Sequence, residues 1–259
     1  MNSLEAVILG IVQGITEFLP VSSDGHLVIF QTLFGLKEPY MLFDVALHMG
    51  TFLATIIIFH KEIYQLLFTP RAILLIIVGS IPAAIVGFTL VHWIETELWN
   101  ITIAAYGILF TGTCLLLSRS VRPKSIILEG PLFSYITVQK AFWIGVAQSL
   151  ALLPGVSRSG MTITCALFLK TGRKDAATFS FILSLPAILG AFVLKLSENG
   201  GLPNQDLNLY LIGFLLAFVV GLLALACVLK IVLKGKFYQF GYYCWFAGII
   251  SLIIRYTLL

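Results

Sequence analysis

Two short strings hold most of the side chains that could do chemistry. The first, Gln13-Gly-Ile-Thr-Glu17-Phe-Leu-Pro20-Val-Ser22-Ser23-Asp24-Gly25-His26, gathers an amide, two carboxylates, three hydroxyls and an imidazole. Gln13 and Glu17 stand four residues apart, on one face of a helix that Pro20 is expected to end. Ser22, Ser23 and Gly25 then form a turn able to expose hydroxyls and backbone N–H groups. Ser23, His26 and Glu17 are the parts of an activated nucleophile: a weak hydroxyl needs a base, and the base needs a group to orient it. Each residue alone has a plainer reading. Glu17 could be a charge snorkelling from a helix end, Ser22 and Ser23 helix caps, and His26 a hydrogen-bonded core histidine. Their combination is what points to chemistry.

The second string is Pro154-Gly155-Val156-Ser157-Arg158-Ser159-Gly160-Met161-Thr162. Arg158 lies among apolar residues, where a charge needs an anionic partner. Its planar fork matches phosphate or carboxylate oxygens. The run Met161 to Leu169 predicts a short helix whose first N–H groups would face the same anion, and Gly155 and Gly160 permit close backbone approach. The plainer reading pairs Arg158 with Glu17, and the two are compatible before a ligand binds. Asp44 and His48, at i and i+4, could line an access route or simply lie at an interface. Gln148 mirrors Gln13, and His60 and His92 fall at the ends of apolar runs.

The elements that must position these residues follow from composition. The chain of 259 residues is 59% hydrophobic and 11% charged, against roughly a quarter charged in a soluble domain. A soluble globular fold is excluded on that ground. The charges sit at the edges of long uncharged runs: Val45 to His60, Ala72 to Ile94, Leu98 to Ser118, Ala176 to Leu194, Leu207 to Leu229 and Phe237 to Ile254. At about 1.5 Å per residue each covers, or nearly covers, the ~30 Å hydrocarbon layer. The expected class is therefore an all-α polytopic membrane protein with six transmembrane spans. The net charge of +4 comes without a basic, aromatic-interleaved cluster, so no nucleic-acid partner is expected. Cys114, Cys165, Cys227 and Cys244 lie within apolar runs and lack disulfide or zinc spacing. Glu5 and the absence of a basic leader argue against a cleaved signal peptide.

Lys and Arg mark the cytoplasmic loops. Arg119, Arg122, Lys124 and Lys140 against Glu129 place one loop inside, as do Lys170, Arg173 and Lys174, and later Lys230, Lys234 and Lys236. The acidic link Glu95 to Glu97 and the stretch Lys195 to Asp206 fall outside. Two segments are left over. Phe142 to Ser157 is flanked on both sides by inside loops, and the first 36 residues must deliver the chain to the outer face. Both are expected to dip into the membrane and return, from opposite faces, as re-entrant helical hairpins around a polar cavity. The halves also match: Gln13 aligns with Gln148, Pro20 with Pro154, and Phe43-Asp-Val-Ala-Leu-His-Met-Gly with Phe179-Ser-Phe-Ile-Leu-Ser-Leu-Pro. We therefore expect residues 1–259 to form a single integral membrane domain built as an inverted-topology repeat, 1–118 and 139–259, with its site at the repeat interface.

The strings Gln13-x-x-x-Glu17-Phe-Leu-Pro-Val-Ser-Ser-x-Gly-His26 and Pro154-Gly-x-Ser-Arg-Ser-Gly-x-Thr162 resemble the two signature motifs of the undecaprenyl-diphosphate phosphatase family of the bacitracin-resistance type. The resemblance runs along nearly the whole chain. It implies an enzyme of the bacterial inner membrane that removes the terminal phosphate of undecaprenyl diphosphate, recycles the carrier for peptidoglycan synthesis and protects against bacitracin. It makes Glu17, Ser23, His26 and Arg158 catalytic, and places Gln13, Ser22, Ser157, Ser159, Gly160 and Thr162 around the substrate. It also implies a divalent cation, Mg2+ or Ca2+, with Glu17 the carboxylate left to meet it because Gln13 replaces a possible second ligand. The expected partners are undecaprenyl diphosphate and the lipid bilayer, with room for a homodimer and a site opening to the extracytoplasmic side. Asp24 departs from the pattern, standing where many members carry an uncharged residue.

Direct attack by water, with Ser23 only positioning the phosphate, stays open at this stage. Inverted repeats with re-entrant hairpins are also common in transporters, so a lipid-phosphate flippase or anion transporter is the rival class. A nucleophile and base favour chemistry, since binding alone needs only donors and cations.

Overall fold

The computed structural model describes residues 1–36, 40–121, 132–198 and 207–257, and these residues are helical with connecting turns. The basic-loop residues Arg122 and Lys124, together with Glu129 and Asp206, lie outside the described residues. Helices α1 (Ser3–Thr16) and α2 (Ser23–Leu33) form a hairpin, followed by α3 (Met41–Ile58), α4 (His60–Leu67), α5 (Pro70–Trp93) and α6 (Ile101–Leu117). A second hairpin, α7 (Val138–Leu150) and α8 (Arg158–Phe168), precedes α9 (Arg173–Glu198), α10 (Leu207–Leu233) and α11 (Phe240–Thr257). Among the described residues six segments are long and apolar enough to cross a membrane: Met41–Ile58, Pro70–Leu98, Ile101–Ser120, Arg173–Glu198, Leu207–Leu233 and Phe237–Thr257. These are the six expected spans. Helix α4, which follows the first of them, is an additional short element that the uncharged-run reading treated as loop.

A helix satisfies its own backbone, which is why apolar runs take that form in lipid; the ends need other partners, and the sequence supplies them. Asn2 and Glu5 form a reciprocal capping box on α1, with Glu5 N–H donating to Asn2 Oδ1 at 3.0 Å and Asn2 N–H to Glu5 Oε2 at 2.8 Å. Ser22, Asn100, Thr137 and Ser157 cap α2, α6, α7 and α8 in turn. Helix α1 stops at Thr16, before Pro20, so that Glu17 sits at its end and Pro20 lies within the following turn.

Helix contacts are made through small residues, as expected where no hydrophobic force drives association. Gly10 of α1 faces Gly213 of α10 so closely that a Cβ on Gly10 would lie 2.8 Å from the Gly213 carbonyl oxygen. Gly145 of α7 is pressed against Gly79 of α5 in the same way. Each re-entrant hairpin thus packs on a span from the other half of the chain. The two tips also touch: Ser159 Oγ donates to the Leu19 carbonyl at 3.2 Å, and a Cβ on Gly25 would lie 2.8 Å from Gly155 Cα.

Gly155 has φ +86°, and a Cβ there would strike the Ala104 backbone on α6. Both the conformation and the space demand glycine. Gly155→Ala is expected to lower stability by about 3 kcal/mol, read as a depressed unfolding midpoint of the detergent-solubilised protein, because the tip must leave α6 to make room.

Candidate active site

The two hairpin tips form the floor of a cavity of about 390 Å³. Glu17, Ser22, Ser23 and Asp24 reach it from the first tip, Ser157 and Arg158 from the second, and Asp44 and His48 from α3. Its walls are apolar and small-residued: Ala83, Ala84 and Gly87 of α5 face Ala187, Gly190 and Ala191 of α9. From Ser80 to Glu95 this wall follows about 22 Å of helix. At the far end Lys195 Nζ bonds Glu95 Oε2 at 2.5 Å and Glu198 Oε2 at 2.7 Å, beside Trp99.

Glu17 is the centre of the polar floor. Its Oε1 takes the Arg158 guanidinium, and its Oε2 accepts from Ser23 Oγ at 2.6 Å and from Gln13 Nε2 at 3.0 Å. Burial alone would raise this carboxyl, but Arg158, then His48 and the Ser23 hydroxyl, hold it well below the usual carboxylate range, so it is ionised. Arg158 bonds Glu17 through one terminal nitrogen, Nη2, while Nη1 is buried without a hydrogen-bond partner among the described residues. Arg158 borders the cavity beside Ser157, whose Oγ caps α8 by accepting from Gly160 N–H at 3.1 Å.

Ser23 is the first residue of α2, and Ser22 before it has φ +70°. A non-glycine residue in that region is strained. Two bonds fix it: Ser22 Oγ accepts from Gly25 N–H at 3.1 Å, and the Ser22 carbonyl accepts from His26 Nδ1 at 2.7 Å. His26 Nε2 lies 2.8 Å from Tyr243 Oη on α11. Burial holds the His26 ring below its usual value, only partly offset by the Ser22 bond, so it is neutral, donating from Nδ1 and accepting at Nε2.

The structure therefore brings Ser23 to Glu17 and Glu17 to Arg158, but it does not bring His26 to Ser23. His26 braces the turn from behind, because one helical turn from Ser22 its ring lies over the Ser22 carbonyl, and it does not border the cavity. Gln13, Ser159, Gly160 and Thr162 also stand outside the cavity lining. Gln13 holds Glu17, Ser159 ties the two tips, and Thr162 bonds the Arg158 carbonyl at 2.8 Å and Ser180 of α9. Thr111, which the sequence gave no reason to single out, grips the second tip: its Oγ1 accepts from Ser157 N–H at 2.9 Å and donates to the Gly155 carbonyl at 3.2 Å.

The donor set does not fit a divalent cation held by protein alone. Three of the roughly four lone-pair directions of Glu17 are taken by Arg158, Ser23 and Gln13, and no group of three His, Cys, Asp or Glu among the described residues could hold a metal.

Fold and site together define a polytopic α-helical membrane protein with a buried polar centre where two re-entrant hairpins meet. A family model described as "Bacitracin resistance protein BacA" matches residues 6–250. The chain belongs to that family. It is 43% identical over 261 residues to "Undecaprenyl-diphosphatase" of Carboxydothermus hydrogenoformans, covering 98% of each chain. It is 40% identical to the protein of that name from Desulforapulum autotrophicum, covering 99% of this chain and 100% of the relative. "Undecaprenyl-diphosphatase 4" of Bacillus thuringiensis is 39% identical over 99% of both.

Proposed function

We propose that this chain hydrolyses undecaprenyl diphosphate to undecaprenyl phosphate and inorganic phosphate, returning the lipid carrier to envelope synthesis and lowering sensitivity to bacitracin. The observation that carries the reading is the Ser23 hydroxyl, 2.6 Å from an ionised Glu17 that is itself paired with Arg158, at the floor of an apolar-walled cavity. A polar floor suits a diphosphate, and the small-residue walls suit a prenyl chain.

Phosphoryl transfer is mostly positioning and charge neutralisation. Arg158 takes the terminal phosphate, starting from its unpartnered Nη1. Ser23 Oγ attacks the terminal phosphorus, the bond to the lipid-phosphate oxygen breaks, and the Oγ proton passes to Glu17 Oε2. Water then hydrolyses the phosphoserine. In the resting pair Glu17 is a weak base; drawing Arg158 onto the anion removes its strongest partner and raises its basicity when substrate is present. A divalent cation, Mg2+ or Ca2+, would enter with the substrate and supply charge neutralisation for the diphosphate, with Glu17 the protein carboxylate left to meet it. Residues 1–118 and 139–259 are read as inverted repeats, in the cytoplasmic membrane, with the cavity reached from the outer side.

The test is release of inorganic phosphate from undecaprenyl diphosphate by the purified protein. Release that stops with EDTA and returns with excess Mg2+ or Ca2+ is expected. Movement of labelled lipid across liposomes without hydrolysis would overturn the proposal in favour of a transporter.

A further inference from the structure

Among the described residues, α6 and α11 contribute none to the lining of the cavity, yet each holds one of the hairpin tips that form its floor. The two helices are pressed together through glycines. A Cβ on Gly112 of α6 would lie 3.0 Å from the Gly241 carbonyl oxygen of α11, and one on Gly248 of α11 would lie 3.0 Å from the Ala105 carbonyl oxygen of α6. Backbones this close make a stiff pair, and each member reaches its tip through one hydroxyl.

On α6, Thr111 is fully buried, and its Oγ1 accepts from Ser157 N–H at 2.9 Å while donating to the Gly155 carbonyl at 3.2 Å. Ser157 caps α8 and directly precedes Arg158, so these two bonds fix where the helix that carries Arg158 begins. On α11, the Tyr243 hydroxyl is 2.8 Å from His26 Nε2, and the two rings stack 8° from parallel with centroids 5.8 Å apart. His26 Nδ1 donates to the Ser22 carbonyl, which leaves Nε2 to accept from Tyr243. The relay from Tyr243 through His26 thus ends on Ser22, whose φ of +70° sets the start of α2 and with it Ser23. Beside it Cys244 Sγ donates to the Pro20 carbonyl at 3.5 Å.

Ser23 and Arg158 come from different hairpins and must face one phosphate, where a misplacement of about 1 Å can cost about 100-fold in rate. We propose that Thr111 and Tyr243 are positioning residues that set Arg158 against Ser23, with the α6–α11 pair as the frame between them. Each acts through the tip it holds. The effect on the reaction rests on the phosphatase reading, whereas the hold on the tips does not.

Four variants of the full chain test this: Thr111→Val, which keeps the shape without the hydroxyl, Thr111→Ser, which keeps the hydroxyl, Tyr243→Phe, which keeps the ring stack, and the double variant Thr111→Val with Tyr243→Phe. Hydrogen exchange on the purified proteins should speed up at residues 154–160 in Thr111→Val and at residues 22–28 in Tyr243→Phe. With undecaprenyl diphosphate, kcat should fall about 30-fold in Thr111→Val and about 10-fold in Tyr243→Phe, with KM within about threefold, because the misplaced groups act in the transition state. The double variant should lose less than the product of the two, since both loosen one alignment. Thr111→Ser should keep kcat within about threefold of the parent, roughly the scatter of such comparisons.

Unchanged exchange at both tips would overturn the proposal whatever the activity. Faster exchange with the parent's kcat would overturn it too, reducing both residues to structural ones, and Thr111→Ser as slow as Thr111→Val would remove the hydroxyl from the argument. Losses that simply multiply would overturn the shared frame. Should Thr111→Val fail to fold, Tyr243→Phe at its half-exposed site carries the same exchange and kcat test. If the tips respond as expected but the parent releases no phosphate from the lipid, the phosphatase reading fails while the grip of each helix on its tip stands.

Discussion

Arg158→Ala should reduce phosphate release by about 10³-fold or more, the range seen when a transition-state arginine is removed from a phosphoryl-transfer site. Two losses combine. The terminal phosphate loses its planar donor, and Glu17, buried at the end of α1, loses the cation that offsets its desolvation. Removing one partner of a buried pair costs about 3–5 kcal/mol, so the variant should also unfold at a lower temperature. Arg158→Lys keeps the charge but not the fork, and is expected to recover the unfolding midpoint more fully than the rate. The double variant Glu17→Gln with Arg158→Ala separates the two losses further: its midpoint should return toward the parent while phosphate release stays lost. Steady-state release and thermal unfolding on the same four preparations decide the matter. Arg158→Ala retaining more than a tenth of the parent rate would remove Arg158 from the anion site.

Ser23→Ala is the second large effect, an expected loss of about 10⁴-fold or more, since deleting a nucleophile can cost up to about 10⁶-fold in kcat. The 2.6 Å contact with Glu17 Oε2 supplies the acceptor for the hydroxyl proton, and the strained Ser22 conformation presents the hydroxyl at the start of α2. Acid quenching of the parent during turnover of substrate labelled in its terminal phosphate should trap label on the protein, at Ser23. A loss of less than tenfold with no trapped label would mean that water attacks directly and that Ser23 only orients the phosphate. Stability should barely change, since the alanine leaves Glu17 with Arg158 and Gln13.

How much of this could be read from the sequence depends on how local each determinant is. Spans announce themselves because the bilayer imposes a length and excludes charge, so Ala72 to Ile94 and Leu207 to Leu229 needed only counting. The short helix beside Arg158 was equally local, although it starts at Arg158, capped by Ser157, and not at Met161. His26 misled for a definite reason: three residues from Ser23 is near in sequence, but a helix turns the ring back over the Ser22 carbonyl and toward Tyr243, more than 200 residues away. His48 stayed open for the opposite reason. On α3 alone it reads equally as lining an access route or lying at an interface, and its place on the cavity floor comes from Glu17 and Asp24, brought to it by a separate hairpin. The i, i+4 spacing from Asp44 was the one signal available, and it describes a face of α3 without saying what that face meets.

The crossed packing of the hairpins bears on how the molecule comes to exist in a membrane. Gly10 of α1 finds Gly213 of α10, a partner made some two hundred residues later. During synthesis the first hairpin must therefore wait, its Glu17 without Arg158 and its tip without Gly155, until most of the chain has inserted. Contacts of such sequence separation form late, so the polar centre is the last part of the protein to be completed. A chain truncated before α7 would hold six of the eight side chains that reach the cavity floor, yet it would lack both Arg158 and the α10 seat that keeps α1 in place. Quality control at the insertion machinery would meet an unpaired carboxylate in lipid, and that exposure would mark the unfinished chain for removal before any partial site could act.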